Sequence, residues 1–447
     1  MPDNVTIIGL GFVGLTTAAF FANRGTKVYG VESDGERINA IRRSRIPFFE
    51  PKLKELVMNA LLSKTLIVNS DLYDSAKKSK YIFICVGTPM DQEGKADLTS
   101  ITKVSKEIGT AIRNVSKYHV ICVKSTVPPG TTENIIAAQI IKTSEKTPYD
   151  EFGIAFTPEF LSEGSAVQDM TEPHKIVIGT NDPKSGSSID NFFTKIYGTG
   201  IYIIRTNIIS AELIKYANNA FLATKISFIN SIANICNHLP GTDVDVVAKA
   251  IGTDPRIGSQ FLVAGPGYGG SCLPKDLSAF IECCKKTGYE PILLKAIEAV
   301  NKDQITIIMN VLKNKLGTLK GKYISILGTA FKKDTDDIRQ SVAINLIREL
   351  KNLAKVNVHD PKALENTKRI FGHSIKYSHS IKDVLTHCDC IILMTEWDEY
   401  REITQKQIAD NNKNRNVLVL DTRRFLKIKN TNKIDYVALG KNTYLRR

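Results

Sequence analysis

Cys272 closes the run Gly265-Pro266-Gly267-Tyr268-Gly269-Gly270-Ser271, and Lys275 and Asp276 follow just behind it. Glycines permit positive-φ turns and a close approach of backbone to ligand. A nearby ammonium favours the thiolate, the form of cysteine that attacks carbon. The plainer reading is a tight surface turn with an inert thiol. Other residues argue against it. Lys215 and Asn219 are four apart in the mostly apolar run that starts at Glu212, so they share one helical face. Such a face serves a polar site or meets solvent. Thr126, Glu159 and Glu163 each follow a short apolar run that reads as a strand. In open α/β sheets the ligand lies beyond the carboxyl ends of the strands, so these three share an address.

The elements that must hold these residues start with Val5–Gly9, an apolar strand running into Gly9-Leu10-Gly11-Phe12-Val13-Gly14 and an alanine-rich helix. A second strand, Lys27–Val31, ends on Glu32. Strand, glycine turn, helix, strand and acid form the dinucleotide fingerprint in its required context. Gly9 makes the turn, Gly11 admits the pyrophosphate, and Gly14 lets the helix pack closely. Glu32 is placed to accept from ribose hydroxyls and to repel a 2′-phosphate, which favours NAD over NADP. Its plainer reading is a solvated strand-end glutamate.

Further strands are expected at Tyr81–Val86, His119–Val123 and Gly153–Phe156. From about Ser210 the period becomes helical through Cys236, then through Val244–Ile251, and from Leu277 to about Leu316. The α/β rhythm returns at Lys322–Gly328, with strands at Val356–Asp360, Cys390–Thr395 and Val417–Asp421. The expected fold is α/β: two Rossmann-like, doubly wound domains (residues 1–207 and 317–447) joined by a central helical domain (208–316) with a long helix. The second sheet's first turn, Gly328-Thr329-Ala330-Phe331-Lys332-Lys333-Asp334, lacks the dinucleotide pattern. Its lysines suit a phosphate-bearing ligand, the expected substrate.

With 447 residues the chain exceeds a single core, and its 43% hydrophobic and 24% charged content is that of a globular protein. No apolar run approaches the roughly 20 residues that span a bilayer, and Met1–Val5 reads as the approach to a strand rather than a signal segment. No membrane association and a cytoplasmic location are expected. The eight cysteines are scattered, without metal-ligand spacing, so neither a metal nor a disulfide framework is expected. The net charge of +14 is spread along the chain with no nucleic-acid-binding module, so no nucleic-acid partner is expected.

Taken together, GLGFVG, GTP, STVPPGTT, PEFLSEGSA, ELIKYANNAFLA, GPGYGGSCLPKD, GTAFKKDTDDIRQS and TEWDEY resemble the UDP-glucose/GDP-mannose dehydrogenase family, in the family's order and over nearly the whole chain. The resemblance implies oxidation of a nucleotide-sugar C6 alcohol to a carboxylate with two NAD. It makes Cys272 the nucleophile, with Lys215, Asn219 and Asp276 around the reacting carbon and Glu159 and Thr126 near a water. The first proton goes to Asp276, to a neutral Lys215 or to a water; an oxyanion contact of the Lys215 and Asn219 kind is worth ~3–4 kcal/mol. For the cofactor it implies Gly9, Gly11, Phe12, Val13, Gly14, Glu32, Arg37, Gly87, Thr88, Thr126, Glu163, Lys275 and Arg339. On the sugar side it adds Glu159, Phe160, Leu161 and Glu163 from the PEFL segment, and Lys215 and Asn219 from the helix. The cysteine loop and its approach contribute Phe261, Gly265, Tyr268 and Gly269, and the second sheet Phe331 and Lys332. Arg256 resembles an arginine that reaches a neighbouring subunit, and a homodimer is implied. PEFL tilts the substrate towards UDP-glucose, with GDP-mannose and UDP-N-acetylhexosamines as alternatives. A non-catalytic NAD-binding scaffold is the rival from another class.

Overall fold

The structure of the chain, a computed structural model, describes residues 3–91 and 93–442. Met1 and Pro2, at the start of the segment read above as leaderless, lie outside them. The chain divides into two compact units, Met1–Asn218 with Ser278–Tyr289, and Asn219–Leu277 with Glu290–Arg447.

The first unit is built on eight strands: β1 (Val5–Ile8), β2 (Val28–Val31), β3 (Leu66–Asn69), β4 (Tyr81–Ile84), β5 (His119–Val123), β6 (Phe152–Phe156), β7 (Ile176–Gly179) and β8 (Ile203–Thr206). They lie in the order β3-β2-β1-β4-β5-β6-β7-β8, parallel except where β6 meets β7. The order reverses beside β1, which opens a crevice at the carboxyl ends of β1 and β4. Helices cover both faces, so β1 and β4 are buried throughout and read as unbroken apolar runs. Side chains alternate between two cores. Phe83 packs on one face with Phe21 and Phe192, while Ile82 and Ile84 face the other with Ile101 and Ile108.

The second unit holds β9 (Tyr323–Leu327), β10 (Lys355–His359), β11 (Lys376–Tyr377), β12 (Cys390–Leu393), β13 (Val417–Asp421) and β14 (Ile434–Ala438), in the all-parallel order β11-β10-β9-β12-β13-β14. Here Ile392 enters one core while Ile391 and Leu393 enter the other.

The long helix runs Ile208–His238, 31 residues without glycine or proline, and residues from Asn219 onward belong to the second unit. The helical run expected from Leu277 is two helices, Leu273–Lys286 and Ile292–Leu316. Gly288, at φ +81°, and Pro291, at the start of the next helix, impose the break.

Candidate active site

In the first unit the glycine turn has the geometry its sequence demands. Gly9 adopts φ +88°, and a Cβ there would sit 3.1 Å from the Cys85 carbonyl. A Cβ on Gly14 would fall 1.8 Å from the Gly9 carbonyl oxygen, so the helix Phe12–Asn23 can lie against the turn only with glycine there. A Cβ on Gly11 would meet nothing within 4 Å, and no side chain caps the helix at that residue. The helix start is thus an open cradle with amides facing it, which suits a pyrophosphate. Gly87, after β4, is equally open, and Thr88 donates to the Thr126 carbonyl at 2.7 Å.

Glu32 is buried at the end of β2. Its Oε1 accepts the amides of Ser33 (2.8 Å) and Asp34 (3.1 Å), and its Oε2 accepts the Leu10 amide and Arg37, both at 3.1 Å. Burial works against its charge, but these amides and Arg37 hold its pKa below the usual carboxylate value. Through the Leu10 amide this carboxylate ties the end of β2 to the glycine turn. Of these donors Arg37 is the side chain, and it is partly exposed.

After β6, Glu159 is buried against Lys215 of the long helix. The Lys215 ammonium donates to the Glu159 carbonyl at 2.8 Å and to Oε1 at 3.0 Å, while the Leu161 amide donates to Oε2 at 2.6 Å. Burial raises the Glu159 pKa, but the field of Lys215, the Leu161 amide and Lys124 outweigh it and leave it lowered. The Phe160 ring lies 5.4 Å from Lys215 Nζ and 4.5 Å from Lys175 Nζ. Thr126, half-buried, follows β5 on a loop held by Ser125, which donates to Val86 at 2.7 Å. Glu163 is buried on the loop after Glu159.

In the second unit Cys272 directly precedes the helix Leu273–Lys286, and its carbonyl accepts the Asp276 amide at 2.8 Å. A helix amino terminus is an environment that suits an anion. Lys275, the cation expected near the thiol, is paired: its Nζ lies 2.5 Å from Asp276 Oδ1. Asp276 is 1% exposed, and its other oxygen accepts Asn219 Nδ2 at 2.6 Å. With both oxygens engaged, Asp276 serves to orient Asn219 and Lys275. Of the eight free cysteines five are buried, and burial pushes the Cys85 thiol up to about 12; Cys272 is half-buried.

The cysteine loop is drawn onto the first turn of the second sheet. A Cβ on Gly269 would lie 2.4 Å from the Gln340 carbonyl oxygen, and one on Gly270 would meet the Phe331 ring at 2.8 Å. The Gly270 amide donates to the Arg339 carbonyl at 2.9 Å, and the Tyr268 amide to Asn301 at 2.8 Å. Motifs some sixty residues apart thus meet in one unit, with Lys332 beside Phe331. Asp360 accepts the amides of Thr329 and Ala330 at 2.7 and 2.9 Å, so the turn after β9 does not present those amides to a pyrophosphate. Arg339 and Arg256 each pair with an acid two residues before them, Asp337 and Asp254, and both are exposed. Phe261, partly exposed, takes φ +66° on the approach to the loop.

Three groups escaped the sequence reading. Lys124, buried at the end of β5, donates to the Thr157 carbonyl at 3.3 Å and acts on Glu159. Arg424, 4% exposed, ties the Ala264 carbonyl (2.7 Å) to Asp245 (2.9 Å) and so holds the root of the cysteine loop. Glu212, buried on the long helix, accepts the amides of Gly130 and Thr132 at 2.5 and 2.8 Å and fixes the loop after Thr126. A charged residue interrupting an apolar run was the available signal for Lys124; the others depend on distant backbone.

Family models match along most of the chain: the NAD binding domain of the UDP-glucose/GDP-mannose dehydrogenase family over residues 3–198, its central domain over 209–303, and its UDP binding domain over 325–428. The chain belongs to the UDP-glucose/GDP-mannose dehydrogenase family. It is 39% identical over 400 residues to the UDP-glucose 6-dehydrogenase TuaD of Bacillus subtilis, covering 89% of this chain and 85% of that protein. It is 38% identical over 425 residues to the UDP-glucose 6-dehydrogenase AglM of Haloferax volcanii, covering 94% and 97%. A solved UDP-glucose dehydrogenase from Pyrobaculum islandicum superposes with a TM-score of 0.90 at 34% identity, covering 99% of this chain and 98% of that one. As a family member the chain is an NAD-dependent oxidoreductase acting on a nucleotide sugar. The open glycine cradle and the anchored Glu32 fit that cofactor. Among the described residues no helix is long and apolar enough to cross a membrane.

Proposed function

We propose that this protein oxidises UDP-glucose to UDP-glucuronate, consuming two NAD and one water per sugar, with Cys272 as nucleophile. The observation that carries the reading is the half-buried thiol at a helix start, beside an Asp276 that orients Asn219 and Lys275. NAD, when bound, accepts hydride from C6, once from the alcohol and once from the adduct on cysteine. With Lys215 paired as an ammonium and both Asp276 oxygens engaged, the hydroxyl proton leaves to a water. The Cys272 thiolate adds to the aldehyde carbon, and the carbonyl oxygen becomes the oxyanion of a thiohemiacetal. Lys215 and Asn219 stabilise that oxyanion. Loss of the second hydride leaves a thioester, and water placed by Glu159 or Thr126 cleaves it, returning the thiol and releasing the acid. The Lys215–Glu159 pair keeps Glu159 ionised and available to orient that water.

UDP-glucose is favoured over the alternatives because the relatives at 36–39% identity carry that name, whereas solved UDP-N-acetyl-mannosamine dehydrogenases are only 21–22% identical. A panel of UDP-glucose, UDP-N-acetylglucosamine, UDP-N-acetylmannosamine and GDP-mannose, followed by NADH absorbance, tests this choice. The highest kcat/KM is expected for UDP-glucose; a preference for any other member overturns it.

The working form we propose is a cytoplasmic homodimer. Phe221, Phe228 and Ile235 recur every seventh residue on the long helix and are exposed, a stripe that a second copy would cover. Exposed Arg256 then becomes available to the neighbouring subunit's sugar site.

A further inference from the structure

The loop Glu159–Ser165 carries several residues given roles above, yet it has no regular structure before the helix Ala166–Thr171. Carboxylates shape it instead. Asp169 accepts the Ser162 amide at 2.8 Å and the Ser165 hydroxyl at 3.2 Å. Glu50, 6% exposed, accepts the Gly164 amide on one oxygen at 2.7 Å and the Ala166 amide on the other at 2.8 Å. Between these anchors Gly164 takes φ +85°, a conformation that a substituted residue adopts only with strain.

Glu50 comes from far away in sequence, in Ile46-Pro47-Phe48-Phe49-Glu50-Pro51, where two prolines restrict the backbone. Two residues before it, the Phe48 ring lies 5.4 Å from that of Phe12, the first residue of the helix at the dinucleotide turn. One short segment therefore touches the cofactor turn with an aromatic ring and the acid-bearing loop with a carboxylate.

We propose that Glu50 is a positioning residue for the oxidation: it sets the Glu159–Glu163 loop from a segment that Phe48 seats against the dinucleotide turn. The role rests on the function proposed above. A buried carboxylate is desolvated at a cost that is offset only while charge-assisted hydrogen bonds face it, so loop and carboxylate hold one geometry together. Glutamine in its place keeps one acceptor and turns an N–H towards the second amide.

The test compares wild type with Glu50→Gln as full-length chains. Without substrate, hydrogen exchange read by mass spectrometry is expected to accelerate in the peptide covering residues 162–166. With UDP-glucose, kcat is expected to fall about 100-fold, the effect of a displacement near 1 Å, while NADH binding read by fluorescence stays within about twofold. If Glu50→Gln does not fold, Glu50→Asp, whose side chain is one methylene shorter, is expected to show the same changes at smaller size. Unchanged exchange, or faster exchange with wild-type kcat, overturns the positioning role. A wild type that forms no NADH from any nucleotide sugar overturns the functional reading and the role with it; the substrate-free exchange result tells that failure apart.

Discussion

At the scale of single residues the proposed chemistry divides between a charged pair and a thiol. Lys215 is buried with Glu159, so it is held in place by one carboxylate and one carbonyl rather than by solvent. Lys215→Ala is predicted to lower kcat by about 100-fold or more, the scale of a lost oxyanion donor. NAD affinity is expected to stay near wild type, because the dinucleotide turn is made by other residues. Steady-state kinetics and NADH fluorescence measure the two parts, and an unchanged kcat would contradict the role. That Lys215 and Asn219 share one helix was legible in the sequence, because they stand four apart in an apolar run without glycine or proline. The pairing of Lys275 with Asp276 was not, since adjacency in sequence does not say where two side chains point.

At the scale of elements the glycine turn and the buried strands decide the outcome. Gly14→Ala would place a Cβ 1.8 Å from the Gly9 oxygen, so the helix Phe12–Asn23 must shift off the turn. The prediction is a loss of NAD affinity of about 100-fold, read by NADH fluorescence titration; wild-type affinity would contradict the assigned packing. On β5, His119 is fully buried with Nδ1 at 2.9 Å from the Ser79 carbonyl, and burial lowers its pKa to about 4. Its folded pKa lies below the unfolded value near 6.5. The stability it contributes is therefore present above pH 6.5 and is lost as pH falls towards 4, about 3 kcal/mol in all. Glu212, raised to about 7 by burial, has the opposite sign: its contribution fades as pH rises through 7. The check is therefore a comparison of urea unfolding between wild type and His119→Asn from pH 7.5 to 4.5. The variant is expected to lose less stability on acidification, and parallel curves would contradict the assignment. Apolar strands such as β4 and β13 were legible as runs. Exposed or very short ones, β3, β8 and β11, were not, because a half-exposed edge strand gives only two or three apolar residues. The division of Leu277–Leu316 into separate helices was written in Gly288 and Pro291, residues that the apolar period alone overlooks.

At the scale of the whole molecule, two sheets of similar plan do different work. In the first, the amides of the glycine turn face an open cradle; in the second, Asp360 takes the corresponding amides. A missing glycine pattern was enough to tell them apart in sequence, but the identity of the group that occupies the second turn depends on β10 lying beside β9. The exposed stripe on the long helix predicts that Phe228→Glu converts a dimer to a monomer in light scattering, and an unchanged mass would contradict the interface. In the mechanism proposed above, one thiol joins two oxidations. The most direct measurement of this is the number of NADH formed per UDP-glucose when sugar is limiting, with Cys272→Ala run alongside. Two NADH per sugar are expected from wild type and no UDP-glucuronate from the variant; a single NADH from wild type, or undiminished acid from Cys272→Ala, would contradict the covalent mechanism.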